Sequence, residues 1–156
     1  MANVAIVETK EYYLRNIEET DRSTFLNLMR EHRWFGMLLR SLDTVEENNR
    51  DNLLWEVYTK EGKTYVVCNK DSQEVIGYFY VEELEESSPN MTIQFKQGTE
   101  CTEDIAELVK GFVNVLHTEY GTSAMIVFVN SDLERKIFET LGYEKISDEV
   151  LVVLPV

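Results

Sequence analysis

At 156 residues the chain has room for one sizeable hydrophobic core. An apolar fraction of 44%, with two Trp, eight Tyr and seven Phe, excludes a disordered tail or linker. A formal net charge of −14 argues against nucleic acid or an anionic membrane as partner; it suits a cationic ligand such as an amine, or simply a solvated acidic surface.

No apolar run approaches the ~20 residues that span a bilayer. Met1 to Glu8 lacks a basic stretch followed by an apolar one, so no signal peptide is expected. Cys68 and Cys101 form no CxxC pair, and with two His in the chain no metal site is expected. Free thiols fit a cytoplasmic location, with a single disulfide left open. There is no repeat, and the two prolines, Pro89 and Pro155, mark no linker, so one domain over residues 1–156 is expected.

In chain order, Tyr12 to Ile17 reads as a first strand, followed by the turn Glu18-Glu19-Thr20-Asp21. Phe25, Leu28, Met29 and His32 fall at i, i+3, i+4, i+7 and predict a helix face. Apolar residues continue through Leu39 after a break at Gly36. A further helix begins at Thr44, with Leu53, Leu54 and Val57 as its expected buried side. Thr64–Cys68 and Val75–Val81, joined by the polar Asn69 to Gln73, predict a β-hairpin. Tyr78 and Tyr80 share one face of its second strand. An acidic loop follows. Met91, Ile93 and Phe95 then alternate on one face of a strand. Ile105, Leu108, Val109, Phe112 and Leu116 define the longest helix, begun by Thr102 as cap with Glu103 and Asp104 at its positive end, and stopped by Gly121. Ala124 to Val129 is apolar on both faces and reads as a central strand. Leu133, Ile137 and Leu141 mark a last helix, stopped at Gly142. Short strands over Tyr143–Ile146 and Val150–Leu154 close the sheet.

Three patches carry a resemblance that covers nearly the whole chain: Leu14-Arg15-Asn16-Ile17-Glu18-Glu19-Thr20-Asp21, Asn69 to Tyr78 with its Ile76-Gly77-Tyr78, and Val129-Asn130-Ser131 with Phe138-Glu139-Thr140-Leu141-Gly142-Tyr143. In this order and spacing they resemble the GNAT superfamily of N-acetyltransferases. The resemblance implies an α/β (α+β) fold: a mixed, mostly antiparallel sheet with a splayed central parallel strand pair and helices on both faces. It implies acetyl-CoA as co-substrate, held between Met91–Phe95 and Ala124–Val129, and a small-molecule or peptide amine as acceptor. It leaves assembly open, a homodimer included.

Carried over residue by residue, the resemblance places the acetyl-CoA contacts at Phe95, Lys96, Gln97, Gly98, Thr99, Thr102, Ser131 and Phe138. Either Ser131 or Asn130 matches the family's asparagine; with Asn130, Ile137 takes the family's tyrosine position, and with Ser131, Phe138 does. That tyrosine often protonates the leaving thiolate, and neither residue has a proton to give. Glu83, past the end of the hairpin, is the candidate base, and Tyr80 the candidate catalytic tyrosine. The family's phosphate loop is glycine-rich, whereas Lys96 to Thr102 holds Gly98 alone, and from Val81 to Val109 the one basic residue before the helix is Lys96. Gln97-Gly98-Thr99, with Lys96 as counter-charge, is the remaining place for a phosphate. A non-catalytic binding domain with an eroded loop is the alternative on the same fold.

Overall fold

A computed structural model of the chain describes residues 5–31, 47–61, 63–82, 90–121, 125–129, 131–145 and 150–153. His32, Trp34, the segment around Gly36, the candidate base Glu83 and Asn130 lie outside the described residues. The elements in chain order are β1 (Val7–Glu8), β2 (Tyr12–Asn16), a 3-10 turn (Glu19–Asp21), α1 (Arg22–Arg30), α2 (Glu47–Glu56), a π-helical turn (Val57–Glu61), β3 (Lys63–Asn69) and β4 (Val75–Glu82). They continue with β5 (Asn90–Phe95), α3 (Glu103–Tyr120), β6 (Met125–Val129), α4 (Asp132–Thr140), β7 (Glu144–Lys145) and β8 (Val150–Val153).

The strands form one sheet in the order β1-β2-β3-β4-β5-β6-β8-β7. Every neighbouring pair is antiparallel except β5 and β6. Their parallel ladder runs from Asn90↔Ile126 to Ile93↔Val129, and β5 continues past it through Gln94 and Phe95. The fold is therefore the mixed, mostly antiparallel one expected from the sequence, with its parallel pair in the centre.

Strand alternation assigns each side chain of β3 and β4 to one of two packed faces. Tyr65, Val67, Phe79 and Val81 point to α3 and join Phe95, Ile105, Val109, Phe112 and Phe138 in the larger core. Val66, Cys68 and Tyr78 point the other way and pack with Phe25 and Met29 of α1 and Leu54 and Trp55 of α2. With both faces covered, these central strands are apolar at nearly every position. In α2 the buried side is Leu54 and Trp55, while Leu53 and Val57 are exposed. The expected stripe of Leu53, Leu54 and Val57 is thus rotated, because Trp55 packs edge-on against Phe25 at 5.8 Å.

Two local features fix the frame around the parallel pair. Arg15 of β2 makes a two-pronged ion pair with Asp21, at 2.7 and 2.9 Å, and Asp21 also accepts the Glu18 N–H at 2.8 Å. That pair sets where α1 leaves the sheet. At the other side, Asp104 in the first turn of α3 accepts from the Thr9 hydroxyl at 2.6 Å and from the N–H groups of Lys10 and Glu11 at 3.2 and 3.1 Å. Its carboxylate is thereby committed to the β1–β2 turn. Replacing Asp104 with alanine is expected to lower stability by about 1–3 kcal/mol, read as a drop in the urea midpoint with an unchanged slope.

Candidate functional site

Past the ladder, β5 turns sharply. Lys96 to Thr99 is a tight turn closed by the Thr99 N–H on the Lys96 carbonyl at 3.1 Å, with Gly98 at φ +91°. Only glycine takes that conformation readily. The turn forms one wall of a cleft of about 460 Å³; Ser131, Asp132 and Leu133 at the start of α4 form the opposite wall. Gln94 and Phe95 lie between the walls, and Glu31 closes the rim from the end of α1.

The cleft thus brings together six of the residues singled out from sequence: Phe95, Lys96, Gln97, Gly98, Thr99 and Ser131. The others lie elsewhere. Thr102 caps α3, accepting the Ile105 N–H at 3.2 Å. Phe138 is fully buried in the larger core with its ring 5.8 Å from that of Tyr143. Tyr80 lies on the α1–α2 face, 4.4 Å ring to ring from Tyr58, whose hydroxyl is pushed up to about 12 by burial and by Tyr80 and Glu82. Tyr78 is also on that face, but it is fully buried, and among the described residues its hydroxyl meets the Met29 sulfur, at 3.8 Å.

The polar groups of the turn already have partners. Lys96 Nζ is 2.7 Å from the Glu74 carboxylate. That hydrogen bond, with the charges of Glu74 and Glu31, raises the ammonium pKa above its ordinary value. The Gln97 N–H donates to Glu31 at 3.2 Å. A Cβ on Gly98 would meet nothing within 4 Å, so the space beside it is open.

Deeper in the cleft the situation is reversed. Gln94 is 5% exposed, and its Oε1 has no hydrogen-bond partner among the described residues. A buried acceptor left without a donor costs about 1–3 kcal/mol, so it marks a place for a ligand's N–H or O–H. Behind the wall stands Glu134, which sequence reasoning passed over. It is fully buried, accepts the Ser131 hydroxyl on Oε2, and has Oε1 without a partner. Burial pushes its carboxyl up to about 7, against the opposing effect of the Glu134 and Phe95 backbone N–H groups. The available signal was a charged residue beside the apolar stripe of α4, one turn before Phe138.

Acetyl-CoA can be tested against these groups. Its amide-bearing arm and thioester would meet the cleft lined by β5 and the start of α4, beside the unpartnered Gln94 Oε1. Its phosphates would meet a turn whose cation and first N–H are held by Glu74 and Glu31.

No family model matches the sequence, and no curated protein matches it. Solved structures do match. A ribosomal-protein-S5-alanine acetyltransferase from Vibrio fischeri superposes with a TM-score of 0.62 at 12% identity, over 97% of each chain. A GNAT-family acetyltransferase from Bacillus anthracis gives 0.64 at 10% identity, over 96% of this chain and 98% of the other. Spermidine N-acetyltransferase from Vibrio cholerae, in complex with CoA and spermine, gives 0.59 at 12% identity, over 93% and 96%. Identities this low carry the fold, and the site must be argued from its own residues.

Proposed function

From the premise that the chain has the fold of GNAT acetyltransferases, we propose that it is an N-acyltransferase moving an acetyl group from acetyl-CoA to an amine of a small molecule or peptide. The observation that carries this reading is the cleft past the end of the parallel ladder, lined by Gln94, whose Oε1 is buried beside it without a partner among the described residues. In this role β5 and Gln94 hold the arm of the co-substrate, and the walls at Gln97 and Ser131 keep water from the thioester. The amine approaches from the α1–α2 face, where Tyr80 lies; Tyr80 remains the proposed catalytic tyrosine and Glu83, outside the described residues, the proposed base. The acidic surface raises the local concentration of cationic amines. The reading also proposes a cytoplasmic protein without a metal.

Acetyl-CoA is expected to raise the melting temperature at millimolar concentration and to give a saturable calorimetric isotherm. Release of free thiol over a panel of spermidine, an amino sugar and an alanine-ended peptide then identifies the acceptor class. The absence of both a thermal shift and heat would sink the reading. Lys96→Glu is expected to weaken acetyl-CoA binding about tenfold by placing a like charge near the phosphates; unchanged affinity removes Lys96 from the phosphate site.

One observation favours the second reading, a binding domain without turnover: the turn's cation and first N–H are already occupied by carboxylates. Saturable acetyl-CoA binding with no thiol release over the panel is the outcome that selects it.

A third test concerns the shape of the cleft. Gly77 lies opposite Phe95 across β4 and β5, and a Cβ there would stand 2.6 Å from the Gln94 carbonyl oxygen. That atom is backbone and cannot swing aside. Gly77→Val is expected to cost about 1–3 kcal/mol and to lose acetyl-CoA binding at temperatures where it remains folded.

A further inference from the structure

We infer that Ser131 and Glu134 form a proton relay into the cleft, with the Ser131 hydroxyl touching the leaving sulfur and Glu134 supplying its proton from behind. The inference rests on the acetyltransferase reading and adds the proton donor that the sequence lacks. Phe138, aligned with a donor tyrosine, is buried and carries no exchangeable proton. Glu134 lies on the same helix one turn earlier, so the two side chains share a face.

The geometry has three parts. Ser131 is exposed on the cleft wall and its hydroxyl is bonded to Glu134. Glu134 is sealed from solvent behind that hydroxyl, with Oε1 unpartnered. Phe95, whose N–H acts on the Glu134 carboxyl, lies in the cleft between its walls. The charge of Glu134 also acts on the Tyr78 phenol of β4, which is raised well above its ordinary value first by burial. Among the described residues no charged side chain from a neighbouring element contributes to the Glu134 shift; burial dominates it.

A serine hydroxyl has one hydrogen to give. With Glu134 ionised, that hydrogen is drawn inward to the carboxylate. With Glu134 protonated, the carboxyl donates to the serine oxygen and the serine hydrogen is free to point into the cleft. In the reaction the amine nitrogen bonds to the thioester carbon and the carbon–sulfur bond breaks. Sulfur takes the Ser131 hydrogen, Ser131 takes the Glu134 proton, the nitrogen's proton leaves to the acceptor-side base and solvent, and Glu134 regains a proton from solvent through the Ser131 hydroxyl once the thiol has left. Atoms and charge balance to an amide and a free thiol.

Calorimetric titration of acetyl-CoA from pH 6 to 9 reads the relay without needing the acceptor. Wild-type affinity is expected to fall about fivefold through pH 7, the worth of one hydrogen bond to the ligand. Ser131→Ala and Glu134→Gln are both expected to give flat profiles. In the thiol-release assay both are expected to be slower by about 10²-fold. If both variants keep the wild-type pH profile, the relay is overturned while the acetyltransferase reading stands. If the wild type binds no acetyl-CoA at any pH, the acetyltransferase reading falls and takes the relay with it.

Discussion

Glu134→Gln is expected to raise the melting temperature at pH 8 by about 10 °C and to leave it unchanged near pH 4. The folded carboxyl titrates at about 7, against 4.5 for the free side chain. Between those values the folded chain holds a proton that the unfolded chain has released. Stability is therefore full below about pH 4.5 and declines as pH rises to about 7. The shift corresponds to about 3 kcal/mol at pH 8, all of it the cost of a carboxylate buried away from water. Glutamine has the same shape and no charge, and its amide can donate to the Ser131 oxygen. Thermal denaturation of both proteins at pH 4, 6 and 8 checks the sign. A variant less stable than wild type at pH 8 would mean that the carboxylate is held favourably. A gain in stability in Glu134→Gln together with a loss of turnover is the pattern expected of an active-site group.

Asp21→Ala should act in the opposite direction, lowering stability by about 3 kcal/mol at neutral pH. The side chains of Arg15 and Asp21 are 12% and 6% exposed, so the guanidinium left behind has little water to turn to. The Glu18 N–H loses its acceptor in the same step. The double variant Asp21→Ala with Arg15→Met removes the stranded charge and is expected to recover much of the loss. Chemical denaturation of the two singles and the double gives the coupling directly. A double variant no better than Asp21→Ala alone would mean that the pair acts through backbone geometry instead.

Where hydrophobic period decides the structure, the sequence was enough. The stripe from Ile105 to Leu116 became α3, and Thr102 and Gly121 bound it as cap and stop, with Gly121 at φ +62°. The alternation of Met91, Ile93 and Phe95 became the buried face of β5. β1 was not legible, because two residues have no period; it exists through its pairing with β2 and the hold of Asp104 on the turn between them. The cleft was half legible. Lys96 to Thr99 and Ser131 were singled out through the family resemblance, and the structure brings them to one cleft. Their electrostatic condition was not legible, since it depends on Glu31 and Glu74, which are distant in sequence and become neighbours only after α1 and β4 have packed. Glu134 reads as one more acid in Asp-Leu-Glu-Arg-Lys. Its burial follows from the packing of α4 against α3, β5 and β6, which residue types alone do not announce.

The parallel ladder also has a kinetic meaning. β1 with β2, and β3 with β4, pair through short turns, whereas β3 reaches β2 only after the segment carrying α1 and α2, and β6 reaches β5 only after α3 has crossed back over the sheet. Contacts that must wait for such a closure come late in folding. The β5–β6 ladder is then a late seam within the sheet, so amide exchange should be faster at Phe95, past its end, than at the centre of β4. An occupant bridging that seam would act as a fastener, and slowed exchange on both strands would report its arrival.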